Sequence, residues 1–344
     1  MTFHADVPVS DSAACVDAVV PAACVARDDE CVVRVAPFHG GEPCDVRVRY
    51  ALYGAAGAPV IAVQGGISAT RHASAEGGRE GWWDALVGAG RAIDTRRFRV
   101  LSIEWLGPDS FSTCDAIRAI GSEDQADAIA ASTLALGIER LHAFVGASYG
   151  AMVGIALAAR HPAKLRRLVA IAGAHRAHPL AIAVRNVQRA IVRLGARHGD
   201  AASGLDLARR LAMTTYRSER EFAERCAAAP LFRDGRYRFA EEDWLEAAGA
   251  NFSQRFAAER FLALSESIDL HAIAPEDVRV PSTLIGFSSD RLVPLSDLCE
   301  LQRRCGAPAP LHVIDSRYGH DAFLKEPDRI GPLIAEALDA GSIA

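Results

Sequence analysis

Three residues far apart in the chain have the types that acyl-transfer chemistry needs. Ser148 lies in FVGASYGAM (144–152), inside a Gly-x-Ser-x-Gly pattern. A serine hydroxyl is a poor nucleophile at neutral pH, so it needs a base to take its proton and an acid to orient that base. Downstream, FSSDRLVP offers Asp290 and SRYGHDAF offers His320, in the order Ser, Asp, His. Taken singly, each has a plainer explanation. The serine pattern arises by chance in many chains, the aspartate suits a loop cap, and the histidine suits a surface or packing position. What makes the three a candidate nucleophile, acid and base is their order, with each at the end of an apolar run. The oxyanion of the tetrahedral intermediate needs two N–H donors. Tyr149, directly after the serine, offers one. Gly66 in QGGISATRH offers the other, against the alternative of a simple glycine turn.

These residues need a frame that delivers them to one place. DVRVRYALYG (45–54) alternates Val46, Val48, Tyr50 and Leu52 on one face, the period of a half-buried strand. PVIAVQGG (59–66), FRVLSIEW (98–105), LHAFVGAS (141–148) and KLRRLVAIAG (164–173) are short runs dominated by apolar residues, as strands covered on both faces should be. Helical stretches separate them at 123–137 and 148–162, the second stopped by Pro162. From about residue 175 to 275 the chain reads as helices with an Arg-rich polar side and no clear strand. Strands then resume at 282–290 and 309–316, with helices from Ser296 to Arg304 and from Asp328 to Asp339. The pattern predicts a mostly parallel α/β sheet interrupted by a helical lid: residues 1–174 and 278–344 as core, 175–277 as lid. Residues 1–30 are weakly patterned and carry no predicted element. In such a sheet the ligand site lies at the carboxyl ends of the strands, where Ser148, Asp290 and His320 all fall.

Composition narrows the class. The chain has 344 residues, half of them hydrophobic, enough for a large core. A net charge of −5 gives no electrostatic reason to expect nucleic acid or an anionic membrane as partner. Eight cysteines show no Cys-x-x-Cys or other metal-type spacing, so no metal is expected and free thiols in a reducing cytoplasm are. The N-terminus lacks the pattern of a signal peptide, and no apolar run approaches a membrane span.

Five stretches together resemble the homoserine O-acyltransferase family of the α/β-hydrolase superfamily: GWWDALVGAGRAIDTRRF (81–98), GASYGAM (146–152), GLDLARRLAMTTYRS (204–218), SDRLVP (289–294) and YGHDAFL (318–324). The likeness runs from about residue 45 to 335. It implies an α/β-hydrolase fold and a Ser148 that takes an acyl group from acyl-CoA, after which the hydroxyl of L-homoserine attacks the acyl-enzyme. It implies acyl-CoA as co-substrate with no tightly held cofactor, a homodimer with contacts on the lid, and methionine biosynthesis as the setting. Arg185, Arg189, Arg193 and Arg197 stand four apart, a guanidinium stripe on one helix face. A solvated face accounts for two or three of them. The family match to RNVQRAI points to Arg189 as the carboxylate grip, and Asp321 matches the acidic residue that would hold the substrate ammonium.

The acyl donor is less determined. Succinyl users of the family carry arginine two residues after the triad aspartate and acetyl users leucine; this chain has Leu292. Against that, Arg291 is adjacent and Arg71 lies just past the oxyanion loop, and either could pair with a distal carboxylate. QGGISATRH also resembles a subgroup associated with succinyl transfer, so succinyl-CoA is slightly preferred over acetyl-CoA. L-serine as acceptor, a carboxylesterase, and an inactive binding module of the same fold are the alternatives.

Overall fold

The computed structural model describes residues 27–76, 78–111 and 119–340. An eight-stranded sheet runs through it: β1 (Arg27–Val35), β2 (Cys44–Tyr53), β3 (Val60–Gln64), β4 (Arg99–Ile103), β5 (Ala143–Ala147), β6 (Leu168–Ile171), β7 (Ser282–Phe287) and β8 (Leu311–Ile314). The spatial order is β1-β2-β4-β3-β5-β6-β7-β8. β2 is antiparallel to both neighbours; every other pair from β4 to β8 is parallel. Strand β5 is buried along its whole length, as a central parallel strand with helices on both faces must be. β2 alternates buried and exposed through Arg49 and is buried from Tyr50 onward, where β4 and the core close over it.

Helices α1 (Ser122–Ala135) and α2 (Tyr149–Arg160) cover one face, and α10 (Pro327–Asp339) covers the other. Ile129, Ile155 and Leu101 belong to one apolar layer; Ile330, Ile334 and Val145 belong to the opposite one. The acidic start of α1 caps its own turn, since Asp124 accepts the Gly121 N–H at 2.6 Å. Two further helices flank the last strands, α8 (Leu295–Arg304) and the single turn α9 (Ala322–Lys325).

Between β6 and β7 the chain leaves the sheet. It forms α3 (Pro179–Arg197), α4 (Ala201–Tyr216), α5 (Glu219–Arg225), α6 (Ala240–Ser253) and α7 (Ala258–Leu270). Val192, Leu205, Ala208, Phe252 and Phe261 give this lid an apolar centre of its own.

Two sequence expectations need correction. The weakly patterned N-terminal stretch is not element-free: Arg27–Val35 pairs with β2, with Val33 and Val35 buried and Val32 exposed. Residues 1–26 lie outside the described residues. The lid also holds a two-stranded hairpin, Leu231–Arg233 with Arg236–Arg238. Its turn is Asp234–Gly235, both at positive φ, and Asp-Gly between alternating residues is the signal that could have revealed it.

Candidate active site

The link from β5 to α2 is one sharp turn. Ser148 sits at φ 57° and ψ −120°, a conformation that costs an L-residue on the order of 1–3 kcal/mol. Close packing holds it there. A Cβ on Gly146 would stand 2.3 Å from the Gly150 carbonyl oxygen, and one on Gly150 would stand 2.3 Å from that of Gln64. Only glycine lets β5, β3 and α2 approach so closely. The Ser148 N–H donates to Ile171 O at 2.8 Å and the Gly150 N–H to Gly65 O at 2.9 Å, fastening the turn to both neighbouring strands.

The strained turn aims the hydroxyl at a histidine 172 positions later. Ser148 Oγ lies 2.8 Å from His320 Nε2, and His320 Nδ1 lies 2.7 Å from Asp290 Oδ2. A carboxylate only accepts, so Nδ1–H donates to Asp290 and Nε2 is left to accept the serine proton. Asp290 is buried, and its other oxygen accepts the N–H groups of Leu292 (2.8 Å) and Val293 (3.0 Å). Burial works against a charged His320, yet the Asp290 carboxylate outweighs it and holds the imidazole pKa above its ordinary value. Gly319 turns the chain into His320 at φ 62°, and its N–H donates to Ser289 Oγ at 3.2 Å, tying the histidine loop to the aspartate loop.

Gly66 stands beside the serine: a Cβ there would point toward Ser148 Oγ at 3.9 Å. Tyr149 opens α2, so its N–H has no intrahelical acceptor. Both line a cavity of about 220 Å³, together with Ser148, His320, Asp321 and Leu292 from the core. The lid closes it with Arg185, Gln188, Arg209, Tyr216 and Phe252.

The structure treats the candidate binding residues unequally. Arg189 is not at the cavity. It is buried behind it, where Nη1 donates to Asp269 Oδ2 (2.6 Å), Ser265 O (3.1 Å) and Ser265 Oγ (3.0 Å). The stripe rotates with the helix, and Arg185, one turn earlier, is the member that lines the cavity. Its Nε donates to Asp269 Oδ1 at 2.5 Å, while its buried Nη2 has no hydrogen-bond partner. Arg193 and Arg197 are exposed. Arg71 and Arg291 also miss the cavity. Glu104 draws Arg71 aside at 2.7 Å, and Arg291 faces outward near Glu219 at 3.8 Å. Asp321 does line it, with Oδ2 paired to Arg217 Nη2 at 3.0 Å.

Sequence reasoning passed over Arg209. Its guanidinium lies 4.8 Å from the Phe252 ring centre and 5.1 Å from that of Tyr216, and Tyr216 in turn stands 5.9 Å from the His320 ring. Among the described residues no carboxylate pairs with it. A cation held by two rings at the cavity wall is suited to grip a ligand carboxylate. The same residues can generate an alkoxide-like serine, stabilise an oxyanion and hold an anionic group. Among the described residues no cluster of His, Cys, Asp or Glu could hold a metal ion, and no helix is long and apolar enough to cross a membrane.

Residues 59–327 match the family model of the alpha/beta hydrolase fold. Homoserine O-succinyltransferase of Xanthomonas campestris pv. campestris is 50% identical over 311 residues, covering 90% of this chain and 83% of the relative. Serine O-succinyltransferase of Stenotrophomonas maltophilia is 33% identical over 351 aligned residues, covering 88% and 95%. The crystal structure of homoserine O-acetyltransferase from Bacillus anthracis superposes with a TM-score of 0.82 at 21% identity, covering 92% of this chain and 98% of that one, a likeness of fold. The chain belongs to the homoserine O-acyltransferase family, acyltransferases built on the α/β-hydrolase fold.

Proposed function

We propose that this enzyme transfers an acyl group, succinyl in preference to acetyl, from acyl-CoA to the hydroxyl of L-homoserine through a Ser148 acyl-enzyme. The observation that carries the reading is the hydrogen-bonded chain Ser148–His320–Asp290 opening into a cavity whose lid wall presents Arg185 and Arg209.

In the first half-reaction His320 Nε2 takes the Ser148 proton as Oγ attacks the thioester carbonyl. The oxyanion is received by the N–H groups of Gly66 and Tyr149. Collapse breaks the C–S bond, and the CoA sulfur leaves with the proton from His320. In the second half-reaction the homoserine hydroxyl gives its proton to His320 and attacks the acyl-serine. Collapse then returns that proton to Ser148 Oγ and releases the O-acyl product. Arg209 grips the acceptor carboxylate, and Asp321 takes its ammonium. Arg185 meets the distal carboxylate of a succinyl group, the part assigned from sequence to Arg71 or Arg291. The lid keeps water from the acyl-enzyme between the two steps.

Acyl-CoA is a co-substrate, and no resident cofactor is needed. The product, an activated homoserine ester, suits methionine biosynthesis. A homodimer fits the exposed Leu180, Val187 and Leu194, seven apart on α3, with exposed Leu207 on α4. Cys31, Cys226, Cys299 and Cys305 carry thiols rather than disulfides, and we place the enzyme in a reducing cytoplasm.

The test is to mix purified protein with succinyl-CoA or acetyl-CoA and L-homoserine or L-serine, following thiol release and the O-acyl product. The fastest turnover is expected for succinyl-CoA with L-homoserine. L-serine preferred as acceptor would shift the reading toward the serine O-succinyltransferase relative. Ester hydrolysis with no thiol release from any pair would replace it with a carboxylesterase.

A further inference from the structure

Both proposed oxyanion donors are backbone amides, and a backbone amide is only as well aimed as the peptide that carries it. Gly66 has no side chain to lock it. Its carbonyl is instead fastened from two sides, by the Ala69 N–H at 2.9 Å and by the indole Nε1–H of Trp105 at 3.0 Å. That anchors the Gly66–Ile67 peptide, while the Gly65–Gly66 peptide, which carries the N–H, is anchored by the Gly150 N–H on Gly65 O at 2.9 Å. With the planes on both sides of the Gly66 Cα held, the N–H has little room to swing. The Trp105 ring, fully buried, then meets the Tyr149 ring edge-on with centres 4.9 Å apart. One tryptophan therefore touches both residues whose N–H groups flank the reacting carbon.

The far ends of both contacts reach the lid. The Tyr149 and Ser267 hydroxyls are hydrogen-bonded to each other, and Ser267 is fully buried on α7. The Trp105 carbonyl accepts from Arg260 Nη2 at 2.6 Å, and Arg260 also lies on α7. Arg260 and Ser267 are seven positions apart, two helical turns, and so fall on the same side of that helix. The same helix carries Asp269, which holds Arg185 at the cavity wall.

We infer that Trp105, Tyr149 and Ser267 form a brace through which lid helix α7 positions the oxyanion hole. They are positioning residues: their side chains act on the acyl intermediate only by aiming the Gly66 and Tyr149 amides. Transition-state stabilisation is then at full strength only while α7 is seated. The inference rests on the acyl-enzyme reading but extends it to side chains remote from the reacting atoms.

The test uses Tyr149→Phe and Ser267→Ala, which delete one hydroxyl each and keep the ring or the helix, and Trp105→Phe, which deletes the indole N–H and also shrinks the buried ring. The first readout is the rate at which a fluorophosphonate labels Ser148, since its phosphoryl oxygen occupies the oxyanion hole without CoA or amino acid. The second is kcat and KM with succinyl-CoA and L-homoserine. Each variant is expected to label about 10-fold more slowly and to lose kcat by a similar factor, because a misaimed donor weakens only the transition state. KM for L-homoserine should stay within about 2-fold, and Tyr149→Phe combined with Ser267→Ala should be no worse than either alone. Variants that melt with the wild type yet label and turn over at its rate would overturn the inference. So would losses confined to KM, or losses that follow the melting temperature. If Trp105→Phe does not fold, Ser267→Ala still decides the matter. Wild-type protein that labels but never releases thiol would refute the acyltransferase reading while leaving the brace testable by labelling.

Discussion

On the sheet side of the cavity, Ser148, Asp290 and His320 are carried by short turns at strand ends. On the lid side, Arg185 and Arg209 reach the cavity at the tips of long side chains, steadied by an ion pair and by two rings. The first kind of placement is set by backbone packing: Gly146 and Gly150 allow one geometry and exclude the others. The second depends on how each helix is rotated and on what competes for each charge. Asp269 shows the competition. It pairs with both Arg189 and Arg185, but Ser265 also takes the Arg189 guanidinium, whereas Arg185 keeps its Nη2 without a hydrogen-bond partner and lines the cavity. Sheet-side changes should therefore abolish chemistry, and lid-side changes should alter what is bound.

The largest effect is expected for Asp290→Asn. It leaves the shape of the site but withdraws the charge that fixes the His320 tautomer, so kcat should fall by about 10⁴-fold with the fold intact. Steady-state turnover checked against thermal melting tests this. A loss below 10-fold would mean that His320 is oriented by something else.

Next comes the contrast between two arginines. Arg209→Met should reduce kcat/KM for L-homoserine by about 30- to 100-fold, the value of a charge-assisted hydrogen bond to a carboxylate. Arg189→Met should do the reverse. It leaves Asp269 buried with half its partners, so stability should fall by about 3 kcal/mol while acceptor kinetics change little. Equal kinetic losses from both would erase the distinction between cavity wall and support.

A smaller effect belongs to the donor. Arg185→Met should cut the preference for succinyl-CoA over acetyl-CoA by about tenfold, since acetyl has no distal carboxylate to lose. Competition between the two donors at a fixed L-homoserine concentration measures it. An unchanged ratio would return the donor question to Leu292, which also lines the cavity.

Two buried histidines carry the comparison into pH. His320, on the sheet side, can take the Ser148 proton only when neutral, and Asp290 holds its pKa above the ordinary value. The acid limb of kcat/KM should therefore lie above pH 6.5. Being raised, this group adds stability at low pH and loses it as pH climbs through the folded value. His271, at the end of α7, has the opposite shift. Burial pushes its pKa down to about 3, and its Nε2–H donates to Ala174 O at 3.1 Å, leaving Nδ1 to accept from Ser122 at 2.6 Å. The unfolded chain binds the proton that the folded one refuses, so stability falls as pH drops below 6.5, by up to about 1.4 kcal/mol per unit. Activity should thus be lost at a higher pH than the lid junction, which paired pH profiles of turnover and denaturant midpoint would reveal.

The difference between the two walls also decides what could be read in advance. The strands, their order of chemistry and the Ser148–Asp290–His320 set were legible because period, turn residues and strand ends are local signals. The positions of Gly66 and Tyr149 at the cavity followed from their places beside those signals. The lid was legible as helix but not as contact. Four arginines at four-residue spacing share a face, yet the spacing does not say that two of them meet Asp269 or that only Arg185 of the pair lines the cavity. Arg209 was hidden for the same reason. Arg210 beside it pairs locally with Asp206 four residues earlier, whereas one of the two rings holding Arg209 comes from Phe252 on another helix. The Asp234–Gly235 hairpin was within reach, since its turn chemistry is written in two adjacent residues.

The most direct measurement is intact-protein mass spectrometry after mixing the enzyme with succinyl-CoA and no acceptor. One added succinyl group on Ser148, removed when L-homoserine is supplied and recovered as its O-succinyl ester, is the predicted result. An unmodified protein that forms the ester only when both substrates are present together would contradict the acyl-enzyme.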